Sequence, residues 1–267
     1  MICIAYSDSD PVSKNAAEFI KKGYDFEDRD GRVIQDKVEL LRIEGSLITA
    51  DYVDKMGFST VLFMSRHHSS AGITSFTSHS LGNWTKEASL GGMPKKLSTS
   101  SPVLMLACMR NLSERAPEGT NKVYEATHHG PMLDTPCTFI EFGGSEAMVS
   151  NHESAEILGQ ASISAAQSMA DNSQDYSHAV IGIGGNHYPS KFTRLALEKG
   201  YAFGHIMPSH SFIKDGSTWN TDMIEAAIKR SDQETELAVI DWKSLGSEPR
   251  SAIINKLEEL GIDYERA

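Results

Sequence analysis

Short, uninterrupted apolar runs constrain the fold of this chain more than any other feature. Residues 60–64 and 179–183 are apolar runs of strand length that end in polar residues or glycine. Such runs are typical of strands buried on both faces of a sheet. Longer segments with helical signals, such as residues 151–170 and 247–260, separate the runs. This alternation predicts an α/β fold with helices on both sides of a mostly parallel, mixed sheet, a three-layer α/β/α arrangement.

Length and composition favour one domain. The chain has 267 residues, 40% of them hydrophobic, and we find no linker, repeat or low-complexity block. We therefore expect a single catalytic domain over residues 1–267, and a monomer. The apolar runs are much shorter than the ~20 residues that cross a bilayer, and the first residues lack the basic flank of a signal peptide. These features predict a cytoplasmic protein that does not contact a membrane.

The three cysteines are scattered and show no CxxC spacing. This usage indicates a reducing compartment and no thiolate metal site, so any metal must be held by histidine and carboxylate. The stretch 69–100 is rich in Ser, Thr and Gly and has no clear secondary structure.

Several histidines lie within a few residues of a predicted strand. Because strand ends meet at one edge of an open α/β sheet, these rings can form one site. Imidazole suits zinc, and a catalytic zinc commonly has three protein ligands and one water. The predicted zinc ligands are His67, His128, His187 and His205. The alternatives are a surface histidine at His67, a turn histidine at His187 and a hydrogen-bonded core histidine at His205.

Glu141 is a charged residue inside the apolar strand predicted for residues 139–142. An unpaired buried carboxylate is costly, so Glu141 needs a partner there. We predict that it acts as a general base, orients a water or completes the metal site. The alternative is an exposed face of the strand. His129 is the second predicted catalytic residue. An extended chain directs the rings of His128 and His129 to opposite sides, so we expect at most one of the two to enter the site.

The net charge of −11 argues against broad binding of nucleic acid, and we expect no DNA partner. A local RNA contact remains compatible with this charge. A glycine turn between a strand and a helix offers N–H groups to an anion, and nearby cations can assist. The residues predicted to bind RNA or phosphate are Arg66, Lys95, Lys96, Gly184, Gly185 and Asn186.

Together the motifs resemble those of the archaeal and plant-type D-aminoacyl-tRNA deacylases. The matching segments occur in the family's order and cover the chain from about residue 60 to 210; the start, residues 4–7 (IAYS), also agrees. They are residues 65–70 (SRHHSS), 126–131 (ATHHGP), 139–146 (FIEFGGSE), 182–189 (GIGGNHYP) and 204–207 (GHIM).

The resemblance implies a phosphorylase/hydrolase-like fold, related to purine nucleoside phosphorylases, zinc carboxypeptidases and peptidyl-tRNA hydrolases. It implies a hydrolase of carboxylic esters that acts in proofreading by cleaving the bond between a D-amino acid and tRNA. It also implies bound zinc and a partner, the acceptor end of D-aminoacyl-tRNA. Such an ester needs an activated water and oxyanion stabilisation, both of which zinc can supply.

Three other functions remain open at this point. A zinc-dependent peptidase or amidase acting on a small substrate would share the fold and the ligands. A nucleoside phosphorylase would use the Gly184–Gly185 turn for phosphate and need no metal. A non-enzymatic module that binds RNA ends would use the histidines structurally. A covalent serine mechanism is disfavoured, because the chain has no GxSxG motif.

Overall fold

The computed structural model describes residues 1–29, 32–68, 72–149 and 151–267. Ser69 and Ser70, the end of the SRHHSS motif, lie outside the described residues. The helices are α1 Pro11–Gly23, α2 Pro102–Arg115, α3 Glu146–Val149, α4 His152–Ala170, α5 Ser190–Lys199, α6 Asp222–Lys229 and α7 Ser247–Leu260. Short 3₁₀ turns cover Leu47–Thr49, Asp51–Met56, Ser209–Ser211 and Trp242–Ser244.

Within the described ranges, the strands fall into two main sheets and two small hairpins. They are β1 Ile2–Ser7, β2 Glu27–Arg29, β3 Arg32–Gln35, β4 Val38–Ile43, β5 Thr60–Arg66, β6 Ser75–His79, β7 Gly82–Asn83, β8 Lys96–Leu97, β9 Asn121–Tyr124, β10 Cys137–Gly143, β11 His178–Ile183, β12 Tyr201–Met207, β13 Lys214–Asp215, β14 Thr218–Trp219, β15 Leu237–Ile240 and β16 Asp263–Arg266.

The larger sheet has the order β2-β3-β4-β1-β5-β10-β6-β9. Its centre, β4-β1-β5-β10, is parallel. Strand β6 pairs antiparallel with β10, and β9 then runs parallel with β6. The smaller sheet, β12-β11-β15-β16, is parallel throughout. The α/β class with a mostly parallel, mixed sheet is therefore confirmed. The strands form two sheets, whereas the sequence predicted a single sheet.

Helix α2 joins the two sheets. Leu104 and Cys108 belong to the core that α1 and α4 form over the larger sheet. Met105 and Met109 belong to the core over β11 and β12 of the smaller sheet. The first turn contains Pro102, which suits a helix start because its missing N–H would have no partner there. One helix buried on two sides thus packs against both sheets.

The predicted buried strands and long helices are observed. Residues 60–64 and 179–183 lie in β5 and β11, and Asn151 caps α4 by accepting the N–H of Glu153. Strand β6 was missed, because all of its residues except Phe76 are polar although the whole strand is buried. Ser78 of β6 satisfies its hydroxyl by donating to the Phe139 carbonyl at 2.8 Å. Among the described residues, no helix is both long and apolar enough to cross a membrane.

The position of α2 predicts that both sheets unfold together. All three tryptophans, Trp84, Trp219 and Trp242, lie in or against the core of the smaller sheet. Leu104→Ala leaves a cavity on the opposite side of α2 and should lower the free energy of unfolding by about 2–5 kcal/mol. We expect the urea midpoint to fall equally by tryptophan fluorescence and by far-UV circular dichroism.

Leu197→Ala is the control, because Leu197 is 37% exposed on α5 and should change the midpoint little. A Leu104→Ala midpoint that falls by circular dichroism while tryptophan fluorescence is unchanged would show two independent domains and contradict the single domain.

Candidate active site

One face of the larger sheet brings four polar side chains together. Ser65 of β5 pairs with Glu141 of β10, and the next row places His79 of β6 beside Phe139. Side chains two residues apart on a strand share a face, so His67, directly after β5, lies on the same side as Ser65. The antiparallel course of β6 explains this arrangement. The site therefore lies across a sheet face, and not only at a common edge of strand ends as the sequence suggested.

The segment after β9 carries the site to the second sheet. Glu125 extends β9, and its N–H donates to the Ser78 carbonyl at 3.1 Å. The N–H of Ala126 donates to the His187 carbonyl at 2.8 Å, and that of Thr127 to the Ile206 carbonyl at 2.9 Å. These bonds fix the loop after β11 against the end of β9. His187 thus reaches a site otherwise built on the larger sheet.

Glu125 is the centre of the site and is fully buried. Its Oε2 lies 2.8 Å from His187 Nε2 and 3.8 Å from His128 Nε2, and its Oε1 lies 3.0 Å from His67 Nδ1. Glu141 is the second buried carboxylate. Its Oε1 accepts a hydrogen bond from Ser65, and its Oε2 lies 3.4 Å from His67 Nδ1.

We refer to the assembled residues as the histidine–carboxylate cluster: His67, His79, Glu125, His128, His129, Glu141 and His187. The cluster opens into a cavity of about 430 Å³, the main cavity, whose wall also contains Ile48, Leu90 and Arg66. Its volume falls within the ~300–1,000 Å³ range of small-molecule sites.

Three histidines present the same ring nitrogen. The Nδ1 atoms of His79, His128 and His129 lie 3.1, 2.9 and 2.6 Å from the carbonyls of Ser80, Ala126 and Gly130. A carbonyl only accepts, so each ring carries a proton on Nδ1, and the rings of His128 and His129, whose pKa values burial lowers, carry it there alone. This leaves the Nε2 lone pairs for another partner, as in metal-binding histidines whose second nitrogen is held by a carbonyl.

Burial and charge set the protonation of the cluster. Burial opposes a charge on His67, but the carboxylates of Glu125 and Glu141 outweigh it and raise the pKa of His67 to about 11. Burial also opposes the charge of the carboxylates, yet the neighbouring histidines hold the pKa of both well below the usual range. Burial, assisted by the charge of His79, lowers the pKa of His129 to about 4.

The rings are held in place by close packing. His67 Nε2 lies 3.0 Å from the Tyr188 hydroxyl, which joins the two sheets at a second point. Gly143 forms the seat of His67, since a Cβ on Gly143 would lie 2.6 Å from the His67 carbonyl oxygen and 2.8 Å from its ring. The glycine after the FIEF strand therefore does more than end it. It provides the space that His67 occupies.

The structure brings together three of the four predicted zinc ligands, His67, His128 and His187, with the predicted catalytic residues Glu141 and His129. Both His128 and His129 enter the site, contrary to the expectation of one, because the backbone at His129 is left-handed (φ 44°) and not extended. His205 lies apart from them. Its Nε2 lies 3.0 Å from the Ser98 carbonyl and 3.1 Å from that of Arg230, and its Nδ1 lies 3.2 Å from Thr127 Oγ1. Both nitrogens are engaged in the core, which corresponds to the structural alternative for His205.

The predicted RNA-binding residues are dispersed. Arg66 lines the main cavity, whereas Lys95 lines a separate cavity beside Lys214, and Lys96 lies in the β7–β8 hairpin. The expectation that the glycine turn offers free N–H groups is not met. The Gly184 N–H donates to the Met207 carbonyl at 2.8 Å and that of Gly185 to Ser244 Oγ at 2.7 Å. Asn186 accepts the N–H of Tyr188 with its side-chain oxygen at 3.0 Å.

Two members of the cluster were missed from the sequence. Glu125 carries a signal similar to that of Glu141, a carboxylate among the apolar residues Val123, Tyr124 and Ala126, and it stands three residues before His128. His79 was set aside because it lies in the Ser- and Thr-rich stretch without a recognisable strand. Recognition of β6 as a strand with buried polar side chains would have placed it in the site.

The donor atoms suit a metal ion. Three overlapping groups each place their nitrogen or oxygen atoms within 4.8 Å of one another: His79, His128 and His129; Glu125, His128 and His187; and His67, Glu125 and Glu141. Among the described residues, His79 Nε2 is buried without a hydrogen-bond partner, and Glu125 Oε1 is buried with His67 Nδ1 at 3.0 Å as an ion-pair contact but no well-aligned hydrogen bond. Orphaned buried donor and acceptor atoms of this kind are compatible with a bound ion. Imidazole and carboxylate are ligands that zinc accepts.

The fold and the site define an α/β protein with a buried histidine–carboxylate centre, as found in hydrolytic enzymes. The sequence model of the D-aminoacyl-tRNA deacylase family matches residues 55–265. Curated D-aminoacyl-tRNA deacylases of Pyrococcus furiosus and Methanocaldococcus jannaschii are 30% and 32% identical to the chain, over 96% and 97% of both sequences. A solved structure of a conserved protein of unknown function has a TM-score of 0.88 and 28% identity, covering 100% of this chain and 95% of that one.

The chain therefore belongs to the D-aminoacyl-tRNA deacylase family. The resemblance predicted from the motifs is confirmed, as is the predicted enzyme class, a hydrolase of the aminoacyl-tRNA ester.

The seat of His67 can be tested by adding one methyl group. Gly143→Ala should displace His67 and lower the free energy of unfolding by about 1–3 kcal/mol, the usual effect of overpacking a core. Gly23→Ala is the control, because the nearest atom to its Cβ is 3.9 Å away. Urea denaturation measures both, and equal stability of the two variants would refute the proposed seat.

Proposed function

We propose that this chain hydrolyses the ester between a D-amino acid and the acceptor end of tRNA, with zinc held in the histidine–carboxylate cluster. The observation that carries the proposal is the placement of Glu125, fully buried, with His67, His128 and His187 around it at the base of an open cavity. Family membership supports the choice of substrate.

The zinc ligands we propose are Glu125, His128 and His187, whose donor atoms form one of the three groups. The other two groups overlap with this one. His79 and His129 form a group with His128, and His67 forms a group that contains Glu125. The neutral Nε2 of His129 suits metal binding or acceptance of a proton. When bound, zinc supplies a water of lowered pKa and polarises the ester carbonyl.

Glu141 is the proposed general base. It is charged at neutral pH, and its Oε1 is held by Ser65 while its Oε2 faces His67 and His79. Held in this way, its free lone pairs can take a proton from the attacking water. As the water oxygen bonds to the carbonyl carbon, its proton moves to Glu141. When the ester C–O bond breaks, that proton passes to the ribose oxygen, leaving the free D-amino acid and tRNA.

Few basic residues face the ester, which agrees with the acidic composition. Among the described residues, Arg66 is the one arginine or lysine in the wall of the main cavity. We keep Lys95 and Lys96 as proposed contacts for RNA further from the reacting bond, because Lys95 lines another cavity with Lys86 and Lys214. Gly185 and Asn186 line a third cavity, and Gly184 precedes them in the same turn. We do not propose that backbone N–H groups of this turn bind a phosphate of the RNA. The monomeric state stays a prediction.

Hydrolysis of D-tyrosyl-tRNA, with L-tyrosyl-tRNA for comparison, tests the activity and the base together. The wild type should release the D-amino acid faster than the L-amino acid. Glu141→Gln should lower the rate by about 10²-fold or more, since it keeps the shape but cannot accept the proton. Glu18→Gln, an exposed change on α1, is the control. A near-normal rate for folded Glu141→Gln would remove the base role, and no hydrolysis by the wild type of this or other D-aminoacyl-tRNAs would refute the function.

Zinc content tests the ligand set independently of activity. His128 belongs to two of the three donor groups, so His128→Ala should lose zinc. His152→Ala should keep it, because His152 is exposed at the start of α4. Elemental analysis of untagged protein measures both variants. A zinc-free wild type that is fully active in a chelator would contradict the metal, and a zinc-replete His128→Ala would contradict these ligands.

A further inference from the structure

A second cavity of about 310 Å³ opens beside the main cavity. The two share part of one wall, made by Ile48, Ser65, Arg66 and His68. Ser65 is also the residue that holds Glu141. The two cavities therefore adjoin at Ser65, the residue that contacts the proposed base.

The walls of the second cavity combine apolar surfaces with hydroxyl groups. Pro11, Leu47 and Phe139 supply flat apolar contacts. Ser46 supplies a hydroxyl group, and Ser7 and Ser9 supply hydroxyl oxygens whose protons are donated to the Gly45 carbonyl. Such a lining suits a neutral, flat ligand that carries several hydrogen-bonding groups.

Asp10 gives the second cavity its polar anchor. Its Oδ1 accepts the N–H groups of Val12 and Ser13 at 2.9 and 3.1 Å, and its Oδ2 accepts that of Arg66 at 2.6 Å. A carboxylate offers about four lone-pair positions, so these three bonds fix Asp10 and leave one position for a ligand hydroxyl. Its negative charge disfavours a phosphate in the same place. Carboxylates bind ribose hydroxyls in this manner in dinucleotide sites.

We propose that the second cavity binds the terminal ribonucleoside of the tRNA, with a ribose hydroxyl on Asp10, while the aminoacyl group occupies the main cavity. The inference rests on the proposed function, because it divides that substrate at its ester bond. The apolar side chains of Ile48 and Leu90 in the main cavity suit the side chain of the amino acid. The hydroxyl-rich second cavity suits the nucleoside.

Ser46→Trp tests this assignment by filling the second cavity. Ser46 is exposed, and its side chain makes no capping hydrogen bond, so the fold should tolerate the change. Calorimetric titration should show that wild type binds adenosine and free D-tyrosine. Ser46→Trp should weaken adenosine binding by about tenfold or more, the scale of a lost base-stacking contact, and leave D-tyrosine binding unchanged. Thr49→Trp, on the neighbouring 3₁₀ turn and outside both cavities, should bind both normally.

Asp10→Asn tests the ribose contact. Asparagine is an equally good helix cap, so α1 should be preserved. We expect wild type to bind adenosine several-fold more tightly than 2′,3′-dideoxyadenosine, and Asp10→Asn to lose most of this difference, because a hydrogen bond to a charged group is stronger. An unchanged preference in Asp10→Asn would overturn the contact.

The results separate this inference from the proposed function. A wild type that deacylates D-aminoacyl-tRNA but does not bind adenosine, or a Ser46→Trp variant that loses D-tyrosine instead, would overturn the assignment of the second cavity alone. Adenosine binding that Ser46→Trp abolishes would support the assignment. Absence of deacylation in the same wild-type protein would count against the proposed function.

Discussion

The buried carboxylate of Glu125 is the interaction on which the site depends. Removing such a charge from water is costly unless other groups compensate it. Here the compensation comes from His187 on the smaller sheet and from His67 and His128 on the larger-sheet side. The stabilisation of this buried charge therefore depends on the relative position of the two sheets, because its histidine partners come from both sides. A metal ion among these donors would provide further compensation.

The segment that follows Glu125 also connects the two sheets through backbone hydrogen bonds. Ala126 and Thr127, directly after Glu125, donate their N–H groups to carbonyls of the smaller sheet. His67 and Tyr188 add a side-chain contact between the sheets, and α2 packs against both sheets on the other side. The main cavity is thus formed where the two sheets are held together.

The sequence predicted much of this arrangement, and the exceptions have physical reasons. Glu141, His67 and His187 were recognisable because polar residues beside apolar strands are unusual. His79 was hidden in a strand that is buried although most of its side chains are polar, so no hydrophobic pattern marked it. His205 also lies in a strand, but both of its ring nitrogens contact partners in the core. The division into two sheets depends on which strands pair with each other over long distances in the sequence. The hydrophobic periodicity of a segment predicts a strand but does not show its pairing partner.

Zinc K-edge anomalous diffraction from crystals of the active protein tests the central claim most directly. The account predicts an anomalous peak within coordination distance of the Glu125 carboxylate and the Nε2 atoms of His128 and His187. A peak at another group of residues, or no peak in this cluster in crystals of fully active protein, would contradict it.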